Sequence, residues 1–117
     1  MITVIKSPFV QYKLTILRNK KTSNTVFRQT MNEISYLIAS DVLQYVPFKK
    51  QTIETPLKKM SGTALGQPII LVPILRAGLG LLEGFAKFLP EAEKGHIGLY
   101  RDEQTYEPVE YLFKLPR

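Results

Sequence analysis

The chain of 117 residues contains no cysteine. That removes disulfides, thiolate nucleophiles and zinc–thiolate sites together. A single histidine, His96, leaves no multi-histidine metal site, and any Ser-His-Asp triad would have to use it. No long hydrophobic run exists: the longest is Ile69-Ile-Leu-Val-Pro-Ile-Leu75, seven residues, where a membrane-spanning helix needs about 20. Met1-Ile-Thr-Val-Ile-Lys6 lacks the basic start, apolar stretch and cleavage site of a secretory signal. The expectation is therefore a cytoplasmic protein with no membrane segment. Acids are scarce in one half only. Residues 1–60 hold ten Lys/Arg against three acids, and residues 61–117 hold six against seven. A basic surface favours polyanions such as nucleic acid, acidic membrane or phosphorylated metabolites. The lysines come in separated pairs (Lys20-Lys21, Lys49-Lys50, Lys58-Lys59), which also suits solvated helix ends and loops.

What is present reads as one α/β domain. Residues Ile2–Ile5 fit a short strand. Ser7-Pro8 reads as a helix start, a capping hydroxyl followed by proline at the first helical position. Val10, Leu14 and Leu17 then form an apolar stripe, and Arg18, Lys20 and Lys21 suit the negative end of the helix dipole. Thr22-Ser23-Asn24 breaks this helix and caps the next. Phe27, Met31, Ile34, Ile38, Val42 and Tyr45 recur at helical spacing until Pro47. Gln51–Thr55 suggests a short strand, and Lys58–Gln67 a polar loop. Pro68–Leu75 is continuously apolar, as expected of a strand buried on both faces of a parallel sheet. It enters Arg76-Ala-Gly-Leu-Gly80, then an apolar helix over Leu81–Leu89 closed by Pro90. His96–Tyr100 reads as a second strand and Val109–Leu115 as an antiparallel arm beside it. A β–loop–α–β unit of this kind implies a right-handed crossover. N-terminal helices over 1–50, a core over 51–101 and an arm over 101–117 make up the domain.

Chemistry concentrates where the first core strand meets its helix. In open α/β sheets, ligands gather beyond the carboxyl ends of strands. A loop there can aim N–H groups at an anion, and glycines let the backbone approach it closely. Arg76 stands at the strand end, where a planar fork can grip phosphate through two hydrogen bonds. A tight turn carrying a solvent-directed arginine fits the same letters. A dinucleotide fingerprint begun at Gly78 fails because position 83 is Glu83, and no Gly-Lys-Ser/Thr triplet exists for a Walker A loop. Arg101-Asp102-Glu103 forms a second cluster at the end of the next strand, so one polyphosphate could engage Arg76 and Arg101 together. Asp102, Glu103, Glu107 and Glu110 could bind Mg²⁺ or simply face water. His96 reads as a half-buried strand residue. Tyr100, Tyr106 and Tyr111 could stack on a base or pack on one another. Ser61-Gly-Thr-Ala-Leu-Gly66 looks faintly like a phosphate loop but precedes a strand.

Taken in order, these segments resemble uracil phosphoribosyltransferase. The likeness rests on Pro8-Phe-Val-Gln-Tyr-Lys-Leu-Thr15, Thr25-Val-Phe-Arg28, Asn32-Glu-Ile34, Ile53-Glu-Thr-Pro-Leu57 and, above all, Ile70–Gly80. Gly95-His-Ile-Gly-Leu-Tyr-Arg-Asp-Glu103, Glu107-Pro-Val-Glu-Tyr111 and Lys114-Leu-Pro116 complete the series. The resemblance implies a type I phosphoribosyltransferase-like parallel sheet with N-terminal helices and a β-arm. It further implies transfer of ribose 5-phosphate from phosphoribosyl pyrophosphate to uracil, giving UMP and pyrophosphate, with Mg²⁺ carried on the donor. Arg76 and Arg101 would contact the donor's pyrophosphate, assisted by main-chain N–H groups of Ala77, Gly78, Leu79 and Gly80.

Ser7 and Tyr12 stand where many relatives have histidine. The family's Thr-Gly-Gly loop for ribose phosphate and its later uracil-recognising segment have no counterpart here, and no Thr-Gly-Gly triplet occurs. The chain thus resembles the family's N-terminal portion. Alone it is expected to be inactive, and to be a homo-oligomer, poorly soluble, or completed by another polypeptide. Uracil would bind only if the missing portion is supplied. A non-catalytic dimerisation or pyrophosphate-binding remnant is the alternative. RNA binding through residues 1–60 is a third, recognisable by steep salt dependence that Arg76→Ala leaves intact.

Overall fold

A computed structural model describes residues 2–116. Helix α1 spans Pro8–Arg18 and α2 spans Asn24–Val42, followed by a 3₁₀ turn at Leu43–Tyr45. Both helices start as the sequence predicts. The Ser7 hydroxyl accepts the Val10 N–H at 3.5 Å, and the Ser23 hydroxyl accepts that of Val26 at 3.2 Å. Side-chain oxygens there satisfy N–H groups that have no partner in the first turn. Between the helices, the Thr22 hydroxyl donates to the Ile16 carbonyl at 2.6 Å and pins the turn. Lys13 reaches from α1 to form an ion pair with Glu33 of α2. The long apolar stripe of α2 is buried only at its centre, Ile34 and Ala39, while Phe27, Val42 and Tyr45 at its ends are exposed.

Two expectations for the next segments fail. Ile2–Ile5 forms no strand and has no strand partner among the described residues. Lys58–Gln67 is no loop: Lys59–Leu65 is strand β2, antiparallel to β1 (Phe48–Glu54), in register from Phe48↔Leu65 to Glu54↔Lys59. Small and polar residues (Ser61, Gly62, Thr63, Ala64) gave this strand no apolar signature. Its pairing is dictated by the turn, where the Thr55 hydroxyl accepts the N–H groups of Leu57 and Lys58 at 3.2 and 3.0 Å.

The apolar run becomes two short strands, β3 (Ile70–Leu71) and β4 (Ile74–Leu75), separated at Val72-Pro73. Proline brings no N–H to a ladder. Helix α3 (Leu79–Phe88) then crosses back to β5 (Glu93–Lys94) and β6 (His96–Arg101). Both pairs are parallel: β3 with β5 (Ile70↔Glu93), and β4 with β6 (Ile74↔Ile97, Leu75↔Gly98). Hydrogen bonds from the Gly95 N–H to the Leu71 carbonyl (2.9 Å) and from the Ile97 N–H to the Pro73 carbonyl (3.3 Å) join the two pairs end to end. The result is an interrupted parallel ladder. Strand β7 (Pro108–Lys114) lies antiparallel on the far side of β6. This is the expected α/β architecture with one correction. The apolar run is not buried on both faces, since Ile70 and Ile74 are each about half exposed (50% and 51%).

The helical layer meets the sheet through one close crossing. A Cβ added to Gly84 of α3 would stand 2.6 Å from the Ser35 carbonyl oxygen and inside contact distance of the Tyr36 nitrogen. Glycine is therefore what lets α3 lie against α2. The buried Ser35 hydroxyl accepts the Gly84 N–H at 2.8 Å and donates to the Asn32 carbonyl at 2.6 Å. Tyr36 and Phe88 close the crossing edge to face, with ring centroids 5.9 Å apart.

Much surface stays open. The chain exposes 9628 Å² and has a radius of gyration of 18.3 Å. A compact monomer of this size exposes about 6,500 Å², with a radius near 13 Å.

Candidate functional site

The site is built on the carboxyl ends of β4 and β6. Leu75 pairs with Gly98, so Arg76 lies one residue beyond that pair and Arg101 three beyond it. Both therefore lie at the carboxyl ends of adjacent parallel strands. Arg76 and Arg101 are exposed, and neither forms an ion pair with any described residue. Two uncompensated guanidinium groups thus share one end of the sheet.

The turn that positions Arg76 is tight. The Leu75–Arg76 peptide is cis. The Gly78 N–H donates to the Ile74 carbonyl at 2.7 Å, and a Cβ at Gly78 would lie 2.6 Å from both the nitrogen and the oxygen of Ile74. Only glycine fits there, for steric reasons: its φ of −63° is open to any residue. Tightness also spends donors. The N–H groups of Leu79 and Gly80 donate to the Arg76 and Ala77 carbonyls at 3.1 and 3.2 Å. Of the four N–H groups expected to face an anion, Gly78, Leu79 and Gly80 are committed inside the turn. Ala77 alone has no main-chain partner among the described residues.

Arg101 is held by the β6–β7 hairpin, where it pairs with Pro108. The Asp102 carboxylate caps this hairpin by accepting the N–H groups of Gln104 and Thr105 at 2.8 and 2.9 Å. Those bonds, Thr105 first, hold its pKa below the ordinary carboxylate value. Tyr106 takes a left-handed conformation (φ 60°) to turn the chain. Tyr100 packs against Tyr111, with centroids 6.1 Å apart, and Tyr106 is exposed. His96 is half-buried in β6 opposite Lys114, away from the arginine end of the strand. Among the described residues, no three His, Asp or Glu side chains converge as a metal site.

One feature escaped the sequence reading. Ile70, Leu71, Val72, Pro73, Ile74, Gly78, Leu81, Leu82 and Phe85 line an open apolar cleft of about 370 Å³ beside the loop. The seven-residue apolar run was its only signal, and the sequence pattern suggested a covered strand instead. No helix among the described residues is long and apolar enough to cross a membrane.

A family model described as uracil phosphoribosyltransferase matches residues 4–117. The chain is 48% identical over 114 residues to a uracil phosphoribosyltransferase of Levilactobacillus brevis, covering 97% of this chain and 54% of that protein. It is 49% identical to that of Lactiplantibacillus plantarum, with the same coverage. A solved protein structure from Aquifex aeolicus superposes with a TM-score of 0.89 at 31% identity, over 99% of this chain and 56% of that one. The chain therefore spans about half the length of the curated relatives it matches. Over residues 4–117 it belongs to the uracil phosphoribosyltransferase family.

Proposed function

We propose that the protein takes part in transferring ribose 5-phosphate from phosphoribosyl pyrophosphate to uracil, forming UMP and pyrophosphate. This chain would supply the pyrophosphate end of the site. The observation that carries the reading is the pair of guanidinium groups, Arg76 and Arg101, at the ends of adjacent parallel strands, with no ion-pair partner among the described residues. As the bond from ribose C1 to the pyrophosphate oxygen breaks, negative charge grows on the leaving group. Fixed cationic donors stabilise that charge most in the transition state. The Ala77 N–H is the one loop donor left to assist. No covalent enzyme nucleophile is needed, which suits a chain without cysteine.

Mg²⁺ would arrive as part of the donor. The described residues offer it no protein ligand set, since no acidic trio converges and the Asp102 carboxylate is already engaged by two N–H groups. Uracil and the ribose phosphate would be held by the part of the family fold that lies outside this sequence. The cytoplasm is the proposed compartment, on the absence of cysteine and of an apolar membrane-spanning segment.

Isothermal titration with inorganic pyrophosphate tests the reading directly. The chain should bind it, and Arg76→Ala and Arg101→Ala should each weaken binding roughly tenfold or more. UMP formation from uracil and donor should appear only when the remaining half of the fold is joined to this chain or added to it. Unchanged pyrophosphate affinity in both variants would remove the assignment.

A further inference from the structure

The loop after β4 leaves a diphosphate short of donors. Three of its four N–H groups are committed inside the turn, and only that of Ala77 has no main-chain partner among the described residues. A second source of donors adjoins Arg101. Leu99, Tyr100, Arg101, Tyr106 and Pro108 line an open cavity of about 330 Å³ at the turn end of the β6–β7 hairpin. Arg101 is the one charged residue in that lining. The adjacent acid, Asp102, has its carboxylate turned to the Gln104 and Thr105 N–H groups. The cavity thus presents an anion with a guanidinium and phenols, and no carboxylate stands among its walls.

Tyr106 is the member of this lining that packing does not explain. Its φ is 60°, in the left-handed region that glycine or asparagine enters easily and a bulky residue only under strain. The turn holds it there. The Tyr106 N–H donates to the Asp102 carbonyl at 2.8 Å, and the Asp102 N–H to the Glu107 carbonyl at 2.9 Å. The Glu107 N–H in turn donates to the Thr105 hydroxyl at 3.2 Å. None of these bonds uses the tyrosine side chain, so a glycine would make them all without strain. Nor does burial offset the strain, because the side chain is 71% exposed while Tyr100 packs on Tyr111. Strain kept at an exposed residue points to a task for the side chain itself.

What that side chain adds beside Arg101 is a hydroxyl donor on a stiff ring. A phenol O–H can donate to a phosphate oxygen, and a ring with two rotatable bonds is held in place at little entropic cost.

We infer that Tyr106 is a phosphate-contacting residue of this half-site, its phenol donating a hydrogen bond to an oxygen of the diphosphate that Arg101 grips. The inference rests on the pyrophosphate reading of Arg101, and its test separates the two. Isothermal titration of the full chain with inorganic pyrophosphate gives affinity, and urea unfolding followed at 222 nm gives stability. Tyr106→Phe keeps the ring and the strained backbone and loses only the hydroxyl. It should bind about tenfold more weakly, as expected for one hydrogen bond to a charged oxygen, at an unchanged urea midpoint. Tyr106→Gly removes strain and side chain together. It should bind at least as weakly as Tyr106→Phe, yet unfold at the same or a higher urea concentration. Wild-type affinity in Tyr106→Phe, with binding still weakened in Arg101→Ala, overturns the inference and leaves the pyrophosphate reading standing. A Tyr106→Phe whose lost affinity comes with a lower urea midpoint also overturns it, since a structural role moves both together. No binding by the wild type, or binding indifferent to both Arg76→Ala and Arg101→Ala, removes the inference and the reading alike.

Discussion

Replacing Gly84 with alanine sets two physical effects of opposite sign against each other. In the interior of a helix, alanine is favoured over glycine by about 1 kcal/mol, so propensity alone predicts a more stable protein. The α2–α3 crossing predicts the reverse. The new methyl would stand 2.6 Å from the Ser35 carbonyl oxygen and too close to the Tyr36 nitrogen, and both are backbone atoms that no rotamer change can move aside. Helix α3 must retreat by about 1 Å to restore normal contact. That stretches the buried Ser35–Gly84 hydrogen bond, at a cost of about 0.5–1.5 kcal/mol, since the N–H keeps its acceptor inside the helix. The Tyr36–Phe88 edge contact, worth about 0.5–1.5 kcal/mol, weakens as well. With the overpacking strain of about 1–3 kcal/mol added and the propensity gain deducted, the expected net loss is about 1–5 kcal/mol, a large share of a small domain's stability. Urea unfolding followed at 222 nm reads this directly, as a lower midpoint at unchanged slope. Ser35→Ala removes the acceptor without the clash and should cost less than Gly84→Ala. Because both act on one contact, the double variant should be less destabilised than the sum of the singles. A neutral or stabilising Gly84→Ala would refute the claim that this crossing depends on a missing side chain.

Other outcomes follow from the same contacts. Gly78→Ala places a methyl 2.6 Å from the nitrogen and oxygen of Ile74, so it should abolish pyrophosphate binding by titration while helical circular dichroism persists. Arg76→Lys keeps the charge but loses the planar fork, and it should bind pyrophosphate more weakly than wild type and better than Arg76→Ala. Asp102 has a folded-state pKa below its unfolded value of about 3.9, so its support of the hairpin is present above pH 4 and lost as pH falls through the lower folded value. The amide resonances of Gln104 and Thr105 should accordingly be constant from pH 5 to 8 and shift only in stronger acid. A midpoint near neutral pH would contradict that origin.

Helices α1 and α2 were legible because their causes are local. A serine before each first turn, a proline at the start of α1 and apolar residues at helical spacing act within a few residues of one another. The Arg76 and Arg101 positions were legible for a similar reason: each stands at the end of an apolar strand and before a turn. Strand β2 was not, because Ser61–Ala64 owe their extended form to the facing strand and to the Thr55 turn, not to any pattern of their own. The two-residue strand β5 was hidden for the same reason.

The order of the letters alone settled which family the chain resembles, where its helices begin, and that an arginine follows each of two apolar strand segments. Only the tertiary structure decided that three of the four loop N–H groups are spent inside the turn, that Gly84 fits against Ser35, and that the apolar run lies half open. Those properties depend on distances between residues far apart in the chain, and no local spacing encodes them.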